Sequence, residues 1–182
     1  MAIFSLFRCG DGQVAKVSHG SIEIPGVKGS ITAREALAIL NPVVRKTSDR
    51  AVLVLITSGS DINGKGLSGR WEFVFHFPDR LAQAIYSFEL IDSEFSDSPL
   101  RLRWRLSPRS DAKGHQKGLP HNFIDSPEAA NRLSEIGLDW VAGDPDITLA
   151  TRRLPSGEVV WVTESYGREL TVPFLEEKQL KD

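Results

Sequence analysis

One cysteine, one methionine and two tyrosines in 182 residues are the scarcest parts of this chain. Cys9 has no second cysteine to pair with, so no internal disulfide staples the fold and a reducing compartment is expected. No apolar run approaches the roughly 18 residues of a membrane-spanning helix. Residues 2–7 are apolar, but Arg8 interrupts them, and a secretory signal needs a longer apolar core behind a basic start. Cytoplasmic location without membrane contact is the reading. Neither sign of charge prevails, with 22 Lys plus Arg against 24 Asp plus Glu, for a net charge of -2. No chain-wide field therefore draws the protein to nucleic acid or to a membrane. Hydrophobic residues at 41% and charged residues at 25% are ordinary for a globular chain of one domain or two small units.

Motifs that carry chemistry are also missing. Gly64, Gly66 and Gly69 match the letters of a dinucleotide fingerprint, but that mechanism needs a helix N-terminus immediately afterwards, and a strand pattern follows instead. A flexible loop is the reading. Neither His19, His76, His115 nor His121 has the paired ligand spacing that zinc requires. Asp139, Asp144 and Asp146 lack the glycine and terminal glutamate of a calcium loop. No Gly-x-Ser-x-Gly elbow is present, and Cys9 has only His19 nearby as a base. No cofactor is implied, and a non-catalytic protein is expected.

What is present is patterning. Residues 13–18 and 21–27 are mixed β-type runs joined by His19-Gly20, which predicts an N-terminal hairpin. Thr32 with Glu35 three residues later is a capping box, and Ala36, Leu37, Ile39, Leu40, Val43 and Val44 form the stripe of a helix that Pro42 ends or kinks. Residues 51–56 read as a buried strand. Polar, glycine-rich residues 58–69 follow, and then Trp71, Phe73, Phe75 and Phe77 alternate with Glu72, Val74 and His76, which puts four rings on one face. Residues 84–91 and 100–106 alternate in the same manner. Residues 108–122 read as a connection. Ser126-Pro127-Glu128 then predicts a second helix, with Ser126 as cap, that stops at Gly137. Strands follow at 147–154, 159–163 and 169–175.

Both halves thus read helix, strand, strand, strand, which predicts an α+β protein of two similar units, each one helix packed on an antiparallel sheet of three to four strands, plus the N-terminal hairpin. The expected divisions are 1–30 for the hairpin region, 31–106 for the first unit, 107–123 for the connection and 124–182 for the second unit. Short antiparallel connections argue against a doubly wound nucleotide-binding fold. The helix start Ile31-Thr32-Ala33-Arg34-Glu35-Ala36-Leu37 with residues 71–77, and Ser126-Pro127-Glu128-Ala129-Ala130 with residues 159–163, resemble PepSY-type and cystatin-like modules in tandem. That resemblance implies a non-catalytic binding or inhibitory module. The long 58–69 loop and the absence of an acidic-glycine ending depart from the PepSY pattern.

Arg101, Arg103 and Arg105 stand at two-residue spacing opposite Leu100, Leu102, Trp104 and Leu106, so three forked guanidiniums share one strand face. Such a row suits an acidic protein surface or a small anion. Equally, it suits cross-strand pairing with the chain's own glutamates. His76, Glu72 and Trp161 complete the candidate binding residues, Trp161 because Val160 and Val162 would leave its ring on the open face if they turned inward. Nucleic acid is not expected, since the parity hides the other aromatics. The charge supports a local attraction: residues 1–98 hold 10 positive and 11 negative side chains, 99–121 hold 6 and 1, and 122–182 hold 6 and 12. The leading function is a binding or regulatory module using this face. The alternatives are an enzyme built from His76, Glu72 and the 58–69 loop, and a homodimer pairing through a sheet face or edge.

Overall fold

In the computed structural model, residues 18–79, 82–92, 97–108, 117–140, 147–165 and 167–176 are described. Residues 13–17 of the expected hairpin, Cys9, His115, Asp144 and Asp146 lie outside them. Helix α1 (Ala33–Thr47) starts as its capping box predicts, with Glu35 N donating to Thr32 Oγ1 at 3.1 Å and Thr32 N donating to Glu35 Oε2 at 2.9 Å. It runs through Pro42 without ending. The proline and the Ala38 carbonyl it deprives of a donor both lie at exposed positions, so the lost bond is exchanged for solvation. Helix α2 (Ser126–Glu135) is capped one residue earlier than expected, by Asp125.

Ser126 is displaced from that cap because it serves the other helix. Its Oγ accepts from Ala33 N at 3.0 Å, while Asp125 Oδ1 accepts from both Arg34 N at 2.9 Å and Ser126 N at 2.8 Å. Amides at the starts of both helices are therefore satisfied by two adjacent side chains. A second device repeats at each helix entry: Trp71 Nε1 donates to Ile31 O at 2.9 Å, and Trp161 Nε1 donates to Ile124 O at 2.8 Å. Both tryptophans are fully buried, so each indole fixes the carbonyl preceding a helix cap.

The strands are β1 (Ser18–Lys28), β2 (Val52–Ser58), β3 (Trp71–Phe77), β4 (Ala82–Leu90), β5 (Pro99–Pro108), β6 (Ala150–Arg153), β7 (Val159–Ser165) and β8 (Arg168–Pro173). They form one antiparallel sheet in the order β1-β5-β4-β3-β2-β6-β7-β8. This corrects the expectation of two helix-on-sheet units. The seam that overturns it is β2 against β6, where Thr57 faces Ala150, Ser58 N donates to Leu149 O at 2.8 Å and Ile56 N donates to Thr151 Oγ1 at 3.0 Å. Left as an edge, the apolar β2 would be a template for aggregation, and pairing with β6 removes that edge. The buried core is correspondingly continuous, running from Leu40 and Phe73 to Leu149, Trp161 and Phe174.

The expected N-terminal hairpin is also corrected. His19 and Gly20 lie inside β1, paired with Arg105 and Trp104 of β5, and no turn occurs there. Glycine is needed at 20 for space, because a Cβ there would stand 2.2 Å from the Trp104 ring. The fingerprint-like glycines of 58–69 serve packing too. Gly66 adopts a positive φ of 70°, and a Cβ on it would come within 2.3 Å of Ser126 O. That loop is fastened by Asp61, which accepts from Ser68 Oγ at 2.7 Å and Gly69 N at 2.8 Å.

Two stability predictions follow from these contacts. Asp125→Ala removes a cap from two helices and should cost about 2 kcal/mol in urea unfolding, whereas Asp125→Asn keeps an acceptor but loses the charge and should recover only part of it. A cost below about 0.5 kcal/mol would show that the shared carboxylate does not hold the helix starts. Tyr86 is buried against Phe75 at an edge-on 5.9 Å, and burial raises its phenol above the usual 10.0, a hydrogen bond with Thr47 offsetting part of the rise. A raised folded value means that Tyr86 contributes its full share below pH 10.0 and loses it as pH climbs through the folded value. The stability difference between wild type and Tyr86→Phe should thus be constant below pH 10 and shift in favour of the variant above it.

Candidate open-face anion site

Side-chain parity divides the sheet. Trp71, Phe73, Phe75, Phe77, Tyr86, Phe88, Leu100 and Leu102 are buried on the face that the helices cover. On the other face, the register sets Arg105 beside His19 of β1 and Ile85 of β4, and Arg103 beside Ser21 and Ser87. Arg101 stands between Glu23 and Glu89. The next strand brings Val74 beside Ile85 and Glu72 beside Ser87, and β2 follows with Leu55 beside Val74. Directly opposed side chains lie about 5 Å apart, so these rows are contacts across strands.

The arginines are unequal. Glu89 Oε1 meets Arg103 Nε at 2.8 Å and Arg101 Nη1 at 3.6 Å, so one carboxylate serves two guanidiniums. Arg105 forms no ion pair with the described residues. Arg103 and Arg105, with His19, Ser21 and Ser87, line a surface cavity of about 500 Å³ among whose lining residues there is no carboxylate. Glu89 holds Arg103 through Nε, the inner nitrogen of the fork, and the side chain is 57% exposed. The arrangement offers planar N–H donors beside two hydroxyls, a donor set that suits carboxylate or phosphate oxygens.

The other sequence candidates are scattered. His76 is buried and lines a separate cavity of about 460 Å³ with Gln83, Lys117, Val54, Leu55 and Val74. Glu72 is not in that lining; it accepts from Ser87 Oγ at 3.5 Å. Glu72 and His76 are four positions apart on β3, about 13 Å along the strand. The 58–69 loop packs at the Trp71 end of β3, against α2, and does not approach His76, so His76, Glu72 and that loop are not brought into one site. Trp161 is corrected outright: it is fully buried on the helix-covered face, with Phe123 and Phe174 against its ring at 6.0 and 5.3 Å. Its neighbours Val160 and Val162 take the opposite face.

Sequence reasoning missed His19, Ser21 and Ser87 as site residues because their only link to the arginines is cross-strand register. It also missed Val54 and Leu55. A β-bulge between Leu53 and Leu55 shifts the β2 register, so Leu53 opposes Phe75 in the core whereas Leu55 opposes Val74 on the open face. The unbroken apolar run of β2 is the signal that both faces there are apolar.

No helix among the described residues is long and apolar enough to cross a membrane. No protein-family model, curated protein or solved structure matches the chain. None of the three supports the resemblance to PepSY-type and cystatin-like modules expected from the helix starts and aromatic strands.

Because the Glu89 pairs are partly exposed, Glu89→Gln should cost no more than about 1 kcal/mol in urea unfolding. A loss above about 3 kcal/mol would instead show that the arginine row depends on Glu89 for folding.

Proposed function

We propose that the protein is a non-catalytic binding module of the cytoplasm that captures a small anion on its open sheet face along the row Arg101, Arg103 and Arg105, with Arg103 and Arg105 holding the anion and Arg101 engaging the neighbouring Glu89. The observation that carries this reading is the cavity of about 500 Å³ whose lining includes two arginines and two serines and no acid. Glu23, Glu72 and Glu89 balance the arginines over the face as a whole but none of them lines the cavity, so the positive charge is local to Arg103 and Arg105 and a bound carboxylate or phosphate would offset it there. Two guanidiniums and two hydroxyls around one cavity are donors enough for a single small anion. The lone cysteine supports the compartment. Strand addition at β1 is discouraged by Glu23, Pro25 and Lys28 along that edge, which weighs against edge-to-edge homodimers.

Titration with acetate and with inorganic phosphate at low ionic strength, followed by the arginine Nε–H resonances, tests the reading. Saturable shifts at Arg103 and Arg105 are expected in the wild type. The triple variant Arg101→Gln, Arg103→Gln, Arg105→Gln should keep its melting temperature and lose at least tenfold in affinity. Equal affinity in that variant, or shifts that never saturate in the wild type, would overturn the proposal.

A further inference from the structure

Between the arginine cavity and the His76 cavity lies a continuous apolar row. Ile85, a lining residue of the first, is paired with Val74, a lining residue of the second, and Val74 is paired in turn with Leu55. All three side chains are half-buried on the open face, and the β2 bulge adds Val54 to the floor of the second cavity. From Arg105 on β5 to Leu55 on β2 the row crosses three strand spacings, about 14 Å. Arg103 and Arg105 stand at its β5 end. The His76 cavity at the β2 end is also lined by Lys117, Arg152 and Arg153, but Arg152 is paired with Glu169 and Arg153 donates to the Gly157, Lys117 and Gly118 carbonyls. Glu89, Glu72 and Glu23 lie off the row, in the two rows beyond it.

We infer that the ligand is an amphipathic carboxylate, with its head on Arg103 and Arg105 and its apolar body laid across Ile85, Val74 and Leu55 toward the His76 cavity. This rests on the anion reading above and adds the body of the ligand to it. A headgroup alone would leave the apolar row in water, whereas an aliphatic body lying on it withdraws apolar surface from both sides. Complete withdrawal of one methylene is worth about fourfold in affinity, so partial burial over several methylenes still produces a steep dependence on chain length.

Acetate, butanoate and octanoate, each below its aggregation concentration, are titrated into the wild type, into Leu55→Thr/Val74→Thr and into Arg103→Gln/Arg105→Gln. The expected result is an affinity that rises at least tenfold from acetate to octanoate in the wild type. The threonine pair should keep the acetate affinity and lose the rise, and the glutamine pair should weaken all three ligands at least tenfold. Equal affinity for the three carboxylates, still dependent on the arginines, would overturn this inference and leave the anion reading standing. A chain-length rise that survives the threonine pair, or affinities that the glutamine pair leaves unchanged, would place the ligand elsewhere and overturn it as well. Absence of saturable binding by any of the three would overturn both. Val74→Thr alone replaces the threonine pair if the double variant loses its folded spectrum.

Discussion

Two helix N-termini meet at Asp125 and Ser126, and like ends of two dipoles are held together there by one carboxylate and one hydroxyl. Each N-terminus carries about half a positive charge on its unsatisfied amides, so their approach is unfavourable without an anion between them. Asp125 supplies it. With the helix starts fixed, Trp71 and Trp161 tie strands β3 and β7 to the residues entering each helix, and β2 and β6 are left side by side to close the sheet. The Gly66 turn packs against the same first turn of α2, which is why a glycine-rich loop is ordered there instead of being a ligand cradle.

One consequence is a division of labour between the two faces of the sheet. The helix-covered face takes the aromatic rings in edge-on and stacked pairs and excludes water. The opposite face keeps the arginine row, a glutamate that bridges two of its members, and an apolar row crossing from Arg105 to the His76 cavity. Charged donors next to half-buried aliphatic groups suit a ligand that is itself polar at one end.

Much of this was legible in the residues. The capping box at Thr32, the four-ring strand at 71–77 and the common face of Arg101, Arg103 and Arg105 all follow from periods of 3.6 and 2. What was not legible is what each strand pairs with. His19-Gly20 has the look of a turn, yet Gly20 is there because Trp104 lies over it; Ser126 has the look of its own helix's cap, yet it serves Ala33, 93 positions away. Trp161 and Val160 alternate in a strand whose residues are buried on both faces, and parity without a partner does not say which of them faces the helices.

By itself, then, the sequence determined which side chains share a strand face, where α1 begins, and that these 182 residues hold neither an internal disulfide nor a long apolar run. Only the tertiary structure decided that the two halves make one sheet, that Trp161 is core, and that Arg103 and Arg105 share a cavity with His19, Ser21 and Ser87. The physical reason is that strands are joined by backbone amides and carbonyls, which every residue but proline supplies alike. Side-chain identity sets the face of a strand, whereas its neighbours are chosen by the packing of the whole chain.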